Sequence, residues 1–504
     1  MSSTQPSRGH LAALTAAFLG WLFDGFEMGL FPLIGKPALK DLLMDQYPAA
    51  GLDLALANWF NVIIATFLVG AATGGVLFGW LGDRVGRVRA MAIAIFTYAI
   101  FTGLCGLATQ AWQIAGLRFI ASLGMGGEWA LGVALVNELW TKGSRVWMAG
   151  AIGAAANIGY LLVAFVSLGL NKYLPGIQEW SVHSIGLSQQ TANYWLEHSA
   201  WRLLMVIGAL PALLIFFIQI FVPESHKWEE EKASGATSHW SNTDLLGVLL
   251  GGLVSLIIIY IWSPLTPVGK GVAGVLTVVG LFAVIWGFVF PVRRYLARSG
   301  AAGGMNEAAR AQVMRHLALG GLIAGVALLG TWGAAQQAPK WSTEIPANGC
   351  LFPKEYTQIW TSLGAIIMTL ITPLIGDLLG RRLSYTLACV VAMASALLFY
   401  QTNGAGIGTW FFVTAFLMGG MTASFYGFFP LYLPELFPTS VRATGQGFCF
   451  NVGRVIAAVG GLQIANLVAS FGTAANAYSV LCCIYLVGMV VVWFAPETKG
   501  QALK

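Results

Sequence analysis

Two carboxylic acids lie three residues apart in the otherwise apolar stretch WLFDGFEMGLF, residues 21–31. If this stretch is helical, Asp24 and Glu27 share one face, because positions i and i+3 are neighbours on an α-helix. Repulsion between the two groups and their burial both favour binding of a proton to at least one of them. Reversible protonation is therefore the chemistry that we expect here. The alternative is that Asp24 pairs with a buried arginine for stability and that Glu27 points towards the outer loop.

Three further ionisable residues lie within apolar segments: Arg118, Glu128 and Arg454. Ionisable groups at membrane depth are rare and usually face a cavity or a partner. The guanidinium of Arg454 stays charged at any depth and its planar fork matches a carboxylate, so we expect it to bind an anionic substrate. A permanent ion pair of Arg454 with Asp24 or Glu128 is the alternative.

Arg118 and Glu128 are ten residues apart in one segment. This spacing places them about 80° apart around a helix and argues against a direct pair. We expect Glu128, which precedes Trp129, to transfer protons or to contact the substrate, whereas Arg118 is a candidate for substrate binding, proton coupling or a structural role. The uncharged candidates for substrate binding are Trp129, Asn157, Tyr160, Trp332, Gln336, Gln337, Tyr426 and Asn451. They could hydrogen-bond a polyhydroxylated ligand, or they could join helices to one another.

Only 10% of the 504 residues are charged and 57% are hydrophobic, with a mean hydropathy of +0.74. A soluble globular protein carries about 25% charged residues, so that class is excluded. Runs of about 20 apolar residues recur along the chain, and each is long enough to cross a bilayer. We interpret the first run, from Leu11, as a span and not as a removable signal peptide. We expect an all-α integral membrane protein with fourteen spans: six within residues 11–222, two at about 244–262 and 271–290, and six within residues 317–495.

The positions of Lys and Arg predict the orientation in the membrane. Most of the 27 basic residues fall in loops on one side, which the positive-inside rule assigns to the cytoplasm. The stretches PESHKWEEEK (223–232) and PVRRYLARSG (291–300) both favour that side, so an even number of spans separates them. The basic charge is therefore a signal for membrane insertion and predicts no nucleic-acid partner. We expect a multi-pass protein of the bacterial inner membrane with both termini in the cytoplasm.

Several motifs occur twice in the same order. GDRVGR (82–87) is repeated as GDLLGR (376–381), ELWTKGSR (138–145) is repeated as ELFPTSVR (435–442), and PESHKW and PETKG follow the last span of each half. Duplicated six-span halves leave a cavity at their interface, which is the usual plan of a transporter. The predicted division is a cytoplasmic N-terminus at 1–10, halves at 11–222 and 317–495, a central segment with two extra spans at 223–316, and a cytoplasmic tail at 496–504.

GWLGDRVGRVRAM (79–91) resembles the loop signature between the second and third spans of the major facilitator superfamily, and RFIASLGMGGEW (118–129) resembles its fourth-span signature. The acidic pair in the first span, the Gly-Glu-aromatic sequence of the fourth, PESHKWEEEK and the two extra spans together resemble the sialate:proton symporters. Glu27 stands where that family has a second Asp, and Trp129 stands where it has a Tyr. The resemblance implies a major facilitator fold of two pseudo-symmetric six-helix bundles, here with two inserted transmembrane helices. It also implies secondary active transport, with proton-coupled symport of a small organic anion, sialate-like or another carboxylate, by alternating access.

The same resemblance implies that charged residues at the cytoplasmic ends of the spans form ion pairs, which latch the halves together while the cavity faces outward. Gly82 and Gly86 are expected to permit a tight turn there. The candidate gating residues are Gly82, Asp83, Gly86, Arg87, Glu138, Arg145, Asp377, Arg381, Glu435 and Arg442. The alternative is that these charges only orient the chain in the membrane.

Enzymes and channels are the competing classes of protein. The chain has no His-Glu-x-x-His or Gly-x-Ser-x-Gly motif, and its six Cys and six His lack the spacing of metal ligands, so we expect no catalytic residue, cofactor or metal. Duplicated halves with paired latches favour alternating access over a continuous pore. Proton-coupled transport of a neutral sugar or an aromatic acid, and proton-driven export, stay open as alternatives. The expected partners are a small-molecule substrate, most simply an organic acid, protons and membrane lipid, and the expected state is a monomer.

Overall fold

The computed structural model describes residues 8–139, 142–263, 266, 268–302 and 305–501. Every regular secondary-structure element within these ranges is a helix. The all-α architecture predicted from the composition is therefore confirmed.

The described residues of the first half form seven α-helices. They are α1 (Arg8–Leu43), α2 (Ala49–Val85), α3 (Arg87–Cys105), α4 (Ala111–Leu139), α5 (Lys142–His183), α6 (Gln189–Ile207) and α7 (Leu214–Phe221). A 3₁₀ turn at Leu210–Leu213 separates α6 from α7 and contains Pro211. Proline fits the first turn of a helical segment, where its missing N–H has no partner to lose.

Three helices lie between the halves in sequence: α8 (His226–Ala233), α9 (Leu245–Trp262) and α10 (Lys270–Ala301). The long helices α9 and α10 pack against each other at two glycines, since a Cβ on Gly287 would lie 2.5 Å from the carbonyl oxygen of Gly247. Helix α9 also lies against α2, where Gly252 meets Thr73. The pair is therefore attached to the side of α2.

The second half repeats the pattern of the first. Its described residues form α11 (Glu307–Gly333), α12 (Ala338–Trp341), α13 (Pro353–Leu379), α14 (Arg381–Thr402), α15 (Thr409–Tyr432), α16 (Arg442–Leu462), α17 (Ile464–Phe471), α18 (Ala474–Cys482) and α19 (Ile484–Val491).

Twelve helical stretches among the described residues are long and apolar enough to cross a membrane. They include α9 and α10, but neither α6 with α7 nor α16 with α17. Helix α6 is interrupted at Glu197–Ala200, where the backbone leaves the helical region. Helix α16 begins at Arg442 and carries the polar residues Gln446, Asn451 and Arg454. The fourteen spans expected from the sequence thus exceed by two the number that length and apolarity support.

A glycine in the left-handed region ends one helix and begins the next in both copies of the repeated motif. Gly86 has a φ of 116° between α2 and α3, and Gly380 has a φ of 90° between α13 and α14. Only glycine adopts such angles without strain, so the tight turn predicted at Gly86 is confirmed. The same expectation for Gly82 is wrong, because Gly82 lies inside α2 and a Cβ there would meet Leu131 at 2.1 Å.

The two halves meet mainly through α2 against α16 and through α5 against α13 and α15. Glycines bring these backbones close together: a Cβ on Gly447 would lie 2.3 Å from the carbonyl oxygen of Gly75, and one on Gly153 would lie 2.5 Å from that of Tyr426. Small residues at such contacts allow helices to approach and to slide. The candidate site lies between these contacts.

Candidate functional site

The ionisable residues that the sequence places at membrane depth converge inside the bundle. Helix α1 supplies two of them, α4 two more and α16 the fifth, and all are at most 2% exposed: Asp24, Glu27, Arg118, Glu128 and Arg454. Charges buried this deeply need partners, because an isolated charge is expensive to remove from water. Their pairing therefore decides what each can do.

Glu27 forms an ion pair with Arg118, with 3.1 Å between its Oε1 and the Nη1 of the arginine. The hydroxyl of Thr102 donates a hydrogen bond of 3.2 Å to the same oxygen. The guanidinium of Arg118 also lies over the rings of Phe31 and Phe67, 5.1 and 4.6 Å from their centroids. The interpretation in which Glu27 points towards an outer loop is wrong. The expectation that Arg118 does not pair with Glu128 agrees with this partner.

Asp24 on α1 and Glu128 on α4 face each other within reach of a hydrogen bond between carboxyl groups. Apart from this contact, no oxygen of either group has a hydrogen-bond partner among the described residues. A carboxylate only accepts hydrogen bonds, so two carboxyl groups can share one only when one of them carries a proton. The pair, which we call the carboxyl dyad, is therefore arranged to hold a proton.

Gly20 makes room for the carboxyl dyad. It lies one turn before Asp24 on α1, and a Cβ at this position would lie 1.7 Å from the Oε1 of Glu128. Two non-bonded atoms cannot lie this close together, so any larger residue at position 20 would displace the Glu128 carboxyl group. The sequence shows Gly20 on the face of Asp24 but gives no sign of this contact.

Arg454 has no salt-bridge partner among the described residues. Its Nε and Nη1 atoms are buried without a hydrogen bond, and its guanidinium lies 5.4 Å from the centroid of the Phe450 ring. The groups that face it are Tyr426, Asp24, Tyr160 and Glu27, and none of them forms an ion pair with it. The alternative of a permanent ion pair with Asp24 or Glu128 is therefore wrong.

Two of the sequence candidates are occupied in helix packing. The ring of Trp129 stacks on Phe450 with centroids 3.8 Å apart and an interplanar angle of 12°. The amide nitrogen of Asn451 donates hydrogen bonds of 3.0 Å to the carbonyl oxygens of Gly126 and Gly447 and so joins α16 to α4. In this conformation neither side chain presents those groups to a cavity.

A polar cavity of about 50 Å³ lies between the halves. Four of the uncharged candidates line it: Asn157, Tyr160, Gln336 and Tyr426. Polar residues that the sequence analysis missed also line it: Thr331, Gln358, Thr361, Ser362 and Thr422. Their only signal in the sequence is a hydroxyl or amide group inside a span, which helix packing explains equally well. The volume admits water molecules and not an organic substrate, whose pocket usually needs about 300 Å³ or more.

The polar cavity continues towards the end of the bundle at which α1 ends and α2 begins. Gln336 is shared with a cavity of about 20 Å³ that Trp332 and Gln337 also line. This second cavity shares Phe60 and Lys340 with an open cavity of about 400 Å³. The charged residues at the open cavity are Lys36, Asp53, Lys340, Glu344 and Lys354. The route from the surface is thus lined by three lysines and leads to the candidate substrate residues.

The opposite end of the bundle, which we call the motif end, carries the repeated GD-x-x-GR motifs and is closed. Arg87 contacts Asp83 at 2.8 Å and Glu138 at 3.2 Å. Glu138 also binds Arg442 of the other half at 3.1 Å. The Asp83 carboxylate accepts hydrogen bonds of 2.8 and 2.6 Å from the N–H and hydroxyl of Thr444. These contacts connect the first half to the beginning of α16.

The second copy of the motif forms ion pairs only within its own half, among the described residues. Arg381 binds Glu435 at 2.6 Å and lies 3.7 Å from Asp377, and all three residues belong to the second half. The side chain of Asp377 is 59% exposed and forms no ion pair with a described residue of the first half. The side chain of Arg145, the repeat counterpart of Arg442, lies outside the described residues. Of the described gating candidates, Asp83, Arg87 and Glu138 of the first half and Arg442 of the second therefore bridge the halves, whereas Asp377, Arg381 and Glu435 form ion pairs only within the second half.

The third repeat explains two carboxylates to which the sequence analysis gave no role. Glu224 accepts hydrogen bonds from the backbone N–H groups of Arg87 and Val88, and Glu497 accepts them from Arg381 and Arg382. Each carboxylate thus caps the helix that follows the tight turn, where free N–H groups favour an anion. The Pro-Glu repeat after each half was the available signal.

The pKa values of these two carboxylates are shifted in opposite directions. Burial raises the pKa of Glu224 above its ordinary value and outweighs the backbone hydrogen bonds that the group accepts. Burial also acts to raise the pKa of Glu497, but hydrogen bonds from three backbone N–H groups outweigh it, so that pKa lies below its ordinary value. The cap at Glu497 therefore favours the charged carboxylate.

The halves are also joined near the beginning of α13, at the end of the bundle opposite the motif end, which we call the outer end only to distinguish it. Glu355 is 3% exposed and accepts hydrogen bonds of 3.2 and 3.3 Å from Ser167 and Asn171 of α5. The ammonium of Lys354 donates a hydrogen bond of 3.0 Å to the carbonyl oxygen of Leu33. Since both ends are bridged and the polar cavity is small, this is a largely occluded conformation. Nothing in the sequence around Glu355 distinguishes it from an ordinary loop charge.

Comparison with known proteins adds independent findings. A profile of the family described as Sugar (and other) transporter matches residues 12–245 and 352–504. The chain is 23% identical to a cis,cis-muconate transport protein of Acinetobacter baylyi over 97% of this chain and 94% of that one. It is 29% identical to the sialic acid transporter NanX of Escherichia coli, over 44% of this chain and 45% of that one.

Among solved structures, the proton:xylose symporter XylE of E. coli, a member of the major facilitator superfamily, has a similar fold. The TM-score is 0.67 with 17% sequence identity, and the match covers 99% of this chain and 98% of the other. At this identity the likeness concerns the fold. It confirms the major facilitator architecture predicted from the loop and fourth-span signatures.

Proposed function

The chain belongs to the Sugar (and other) transporter family and is a multi-pass membrane transporter of the major facilitator superfamily, and we propose that it carries a small carboxylate together with a proton by alternating access. The observation that carries the proposal is the position of Arg454: a buried guanidinium that forms no salt bridge with any described residue and faces the carboxyl dyad. Since all members of the family are transporters, an enzymatic role is excluded.

Arg454 is the proposed anchor of the substrate anion. A buried charge without a partner destabilises the protein, and a carboxylate placed on the guanidinium fork would supply the missing charge and hydrogen bonds. Lysines at the open cavity would raise the local concentration of anions. The names of two relatives, a muconate transporter and a sialic acid transporter, support a carboxylate substrate.

The carboxyl dyad is the proposed site of proton coupling, and its charge balance sets the stoichiometry. With one proton shared by Asp24 and Glu128, the cluster carries two negative and two positive charges, because Glu27 is paired with Arg118 and Arg454 is unpaired. Binding of one carboxylate at Arg454 adds a negative charge. A second proton on the dyad would restore neutrality, so we expect one proton to accompany each monovalent anion.

The bridges at the two ends supply the proposed alternation. Opening the outer end requires breaking the hydrogen bonds of Glu355 and Lys354 with the first half. Opening the motif end requires breaking the contacts of Asp83 and Glu138 with α16. A substrate that binds between the ends would stabilise the closed state of both. Protonation of the dyad changes the charge between the same helices and would thereby couple the two movements.

We further propose that α6 with α7 and α16 with α17 complete a set of fourteen spans, in which α9 and α10 are an inserted pair. In support, the family profile leaves residues 246–351 unmatched, and α9 and α10 lie almost entirely within that gap, together with α11 and α12. This assignment keeps the predicted halves at 11–222 and 317–495. With the motif end in the cytoplasm of a bacterium, both termini lie there as well.

A proton-coupled transporter of a neutral sugar is the second candidate. It is favoured by the polar cavity, whose lining is uncharged and rich in hydroxyl and amide groups such as Gln336, Gln358 and Thr361. The two candidate functions differ in whether the substrate supplies an anion to Arg454. A neutral substrate would leave that guanidinium unpaired, which is the reason that we place this candidate second.

Uptake into proteoliposomes tests the proposal. Labelled sialic acid and cis,cis-muconate are supplied with or without an inward proton gradient, with glucose and xylose as competitors and with the membrane potential clamped. We expect the pH gradient to drive uptake of a carboxylate. For the monovalent sialate, which would cross with one proton, we expect the potential alone to have no effect. Uptake that the gradient does not change would contradict the coupling, and competition by sugars alone would support the second candidate.

A further inference from the structure

A surface cavity of about 530 Å³ lies at the motif end of the second half, away from the substrate route. It is bordered by the beginning of α11, the beginning of α14 and the chain after α19, which are the ends of three candidate spans. Its position is therefore the level at which lipid headgroups meet the protein.

Two arginines line this cavity and are held in place by carbonyl groups. The Nη2 of Arg315 donates a hydrogen bond of 3.2 Å to the carbonyl oxygen of Phe494, and the Nε of Arg382 donates one of 2.9 Å to that of Ala495. Neither arginine forms a salt bridge with a described residue, and no acidic residue is among the described residues that line the cavity. Glu497, which follows Pro496, accepts a hydrogen bond from the backbone N–H of Arg382 but does not line the cavity. The described lining thus carries two arginines and no carboxylate.

The border of the cavity is apolar where it faces the membrane. Phe494 lines it and is 62% exposed, and the neighbouring Trp493 is 52% exposed. Aromatic residues at the end of a span are typical of the boundary between acyl chains and headgroups. A ligand here would therefore meet cationic groups and an apolar surface together, a combination that a lipid satisfies and a free phosphate does not.

The corresponding position of the first half differs in charge. A cavity of about 670 Å³ lies between α3 and the end of α7, and its charged residues are Arg89 and Glu224. The two positions correspond because Glu224 and Glu497 cap equivalent helices. Glu224 lines the first cavity beside one arginine, whereas Glu497 does not line the second, which has two arginines. The described lining of the second cavity is therefore the more positive of the two. The first cavity, with Arg89, can therefore serve as a control for ligand binding at the second.

We propose that the cavity at Arg315 and Arg382 binds the headgroup phosphate of an anionic phospholipid from the leaflet at the motif end. Clusters of arginine next to spans bind anionic headgroups, since a guanidinium fork matches a phosphate. The bound lipid would bridge α11 to α14 and to the segment after α19. It would thereby tie the first span of the second half to the helix that follows its GD-x-x-GR motif.

The test is a lipid titration of the purified full chain in detergent, with bound lipid counted by native mass spectrometry. Phosphatidylglycerol is compared with phosphatidylcholine of the same acyl chains, and we expect the anionic lipid to bind more tightly. The double variant Arg315→Gln/Arg382→Gln should weaken its binding roughly 30-fold, the equivalent of about 1 kcal/mol for each arginine. Arg89→Gln, the matched control in the first half, should leave binding unchanged.

If the double variant does not fold, the single variant Arg315→Gln is tested instead. We expect this variant to fold, because Arg315 is exposed and its hydrogen bond is to one backbone carbonyl group. The single variant should weaken binding of phosphatidylglycerol roughly fivefold. The proposal is overturned if the arginine variants bind phosphatidylglycerol as the unaltered chain does, or if phosphatidylcholine binds equally well. Equal binding by glycerol 1-phosphate, which has no acyl chains, would also overturn the lipid as ligand.

Discussion

The carboxyl groups of Asp24 and Glu128 face each other across the contact of α1 with α4, although α2 and α3 separate the two residues in the chain. Both are buried, and Arg454 is the cation that faces Asp24 without pairing with it. Glu27, the nearest other acid, is held by Arg118. The four acidic and basic groups around Asp24 thus differ in how they are paired, and the role proposed for each can be tested separately.

Asp24→Asn and Glu128→Gln should uncouple transport from the proton gradient. Each change removes one of two groups that share a proton, so binding of the substrate no longer alters proton affinity. We expect gradient-driven uptake to lose a stimulation of roughly 5- to 150-fold, the usual range of a coupling free energy. Exchange of labelled for unlabelled substrate should continue. Asp53→Asn at the open cavity is the control, and an equal loss of exchange in the dyad variants would contradict this role.

Arg454→Gln should weaken binding of a carboxylate substrate. A hydrogen bond to a charged group contributes about 1.5–3 kcal/mol, so the affinity should fall roughly 10- to 150-fold. Binding to the purified protein is measured by calorimetry for the acid and for its methyl ester. Arg454→Lys keeps the charge but loses the fork and should give an intermediate affinity. Equal affinity of the unaltered protein for the acid and the ester would show that no anion binds at Arg454.

Asp83→Asn should open the motif end, whereas Asp377→Asn should not. Asp83 accepts hydrogen bonds from Thr444 of the other half, while its repeat counterpart is exposed and bridges nothing among the described residues. Reaction of a cysteine introduced at Ala443 with a membrane-impermeant maleimide reports the opening from that side. Faster labelling is expected for Asp83→Asn and an unchanged rate for Asp377→Asn. Similar rates in both variants would contradict the asymmetric latch.

The two capping carboxylates should give opposite dependences of stability on pH. The pKa of Glu497 is lowered in the folded protein, so its stabilising effect is complete above the ordinary carboxyl pKa and is lost as the pH falls through the lowered value. The pKa of Glu224 is raised, so its charged form opposes folding increasingly as the pH rises through the raised value.

Thermal unfolding in detergent between pH 3 and pH 7 measures these effects, with the range chosen around the ordinary carboxyl pKa of about 4. Glu497→Gln should remove the part of the acid destabilisation that comes from this cap. Glu224→Gln should remove the part of the curve that declines towards neutral pH. Identical pH profiles for the two variants would contradict the opposite shifts of the two groups.

Local properties of the sequence determined much of this protein. Apolar length predicted the helices, Gly86 predicted the turn after α2, and the repeated motifs predicted two equivalent halves. The same reasoning identified Asp24, Glu128 and Arg454 as buried charges. Each of these properties depends on a few consecutive residues, because hydrophobic length, backbone freedom and burial at membrane depth are all local.

Only the tertiary structure decided how these groups are paired. From the sequence alone, Glu27 could equally have faced a loop and Arg454 could have paired with Asp24. Helix packing instead pairs Glu27 with Arg118 and leaves Arg454 without a salt bridge among the described residues. Packing likewise makes one latch bridge the halves and leaves Asp377 exposed, although both motifs have the same spacing. The physical reason is that an ion pair depends on which helix faces which, and this is set by the close approach of glycines such as Gly75 and Gly447 from distant parts of the chain.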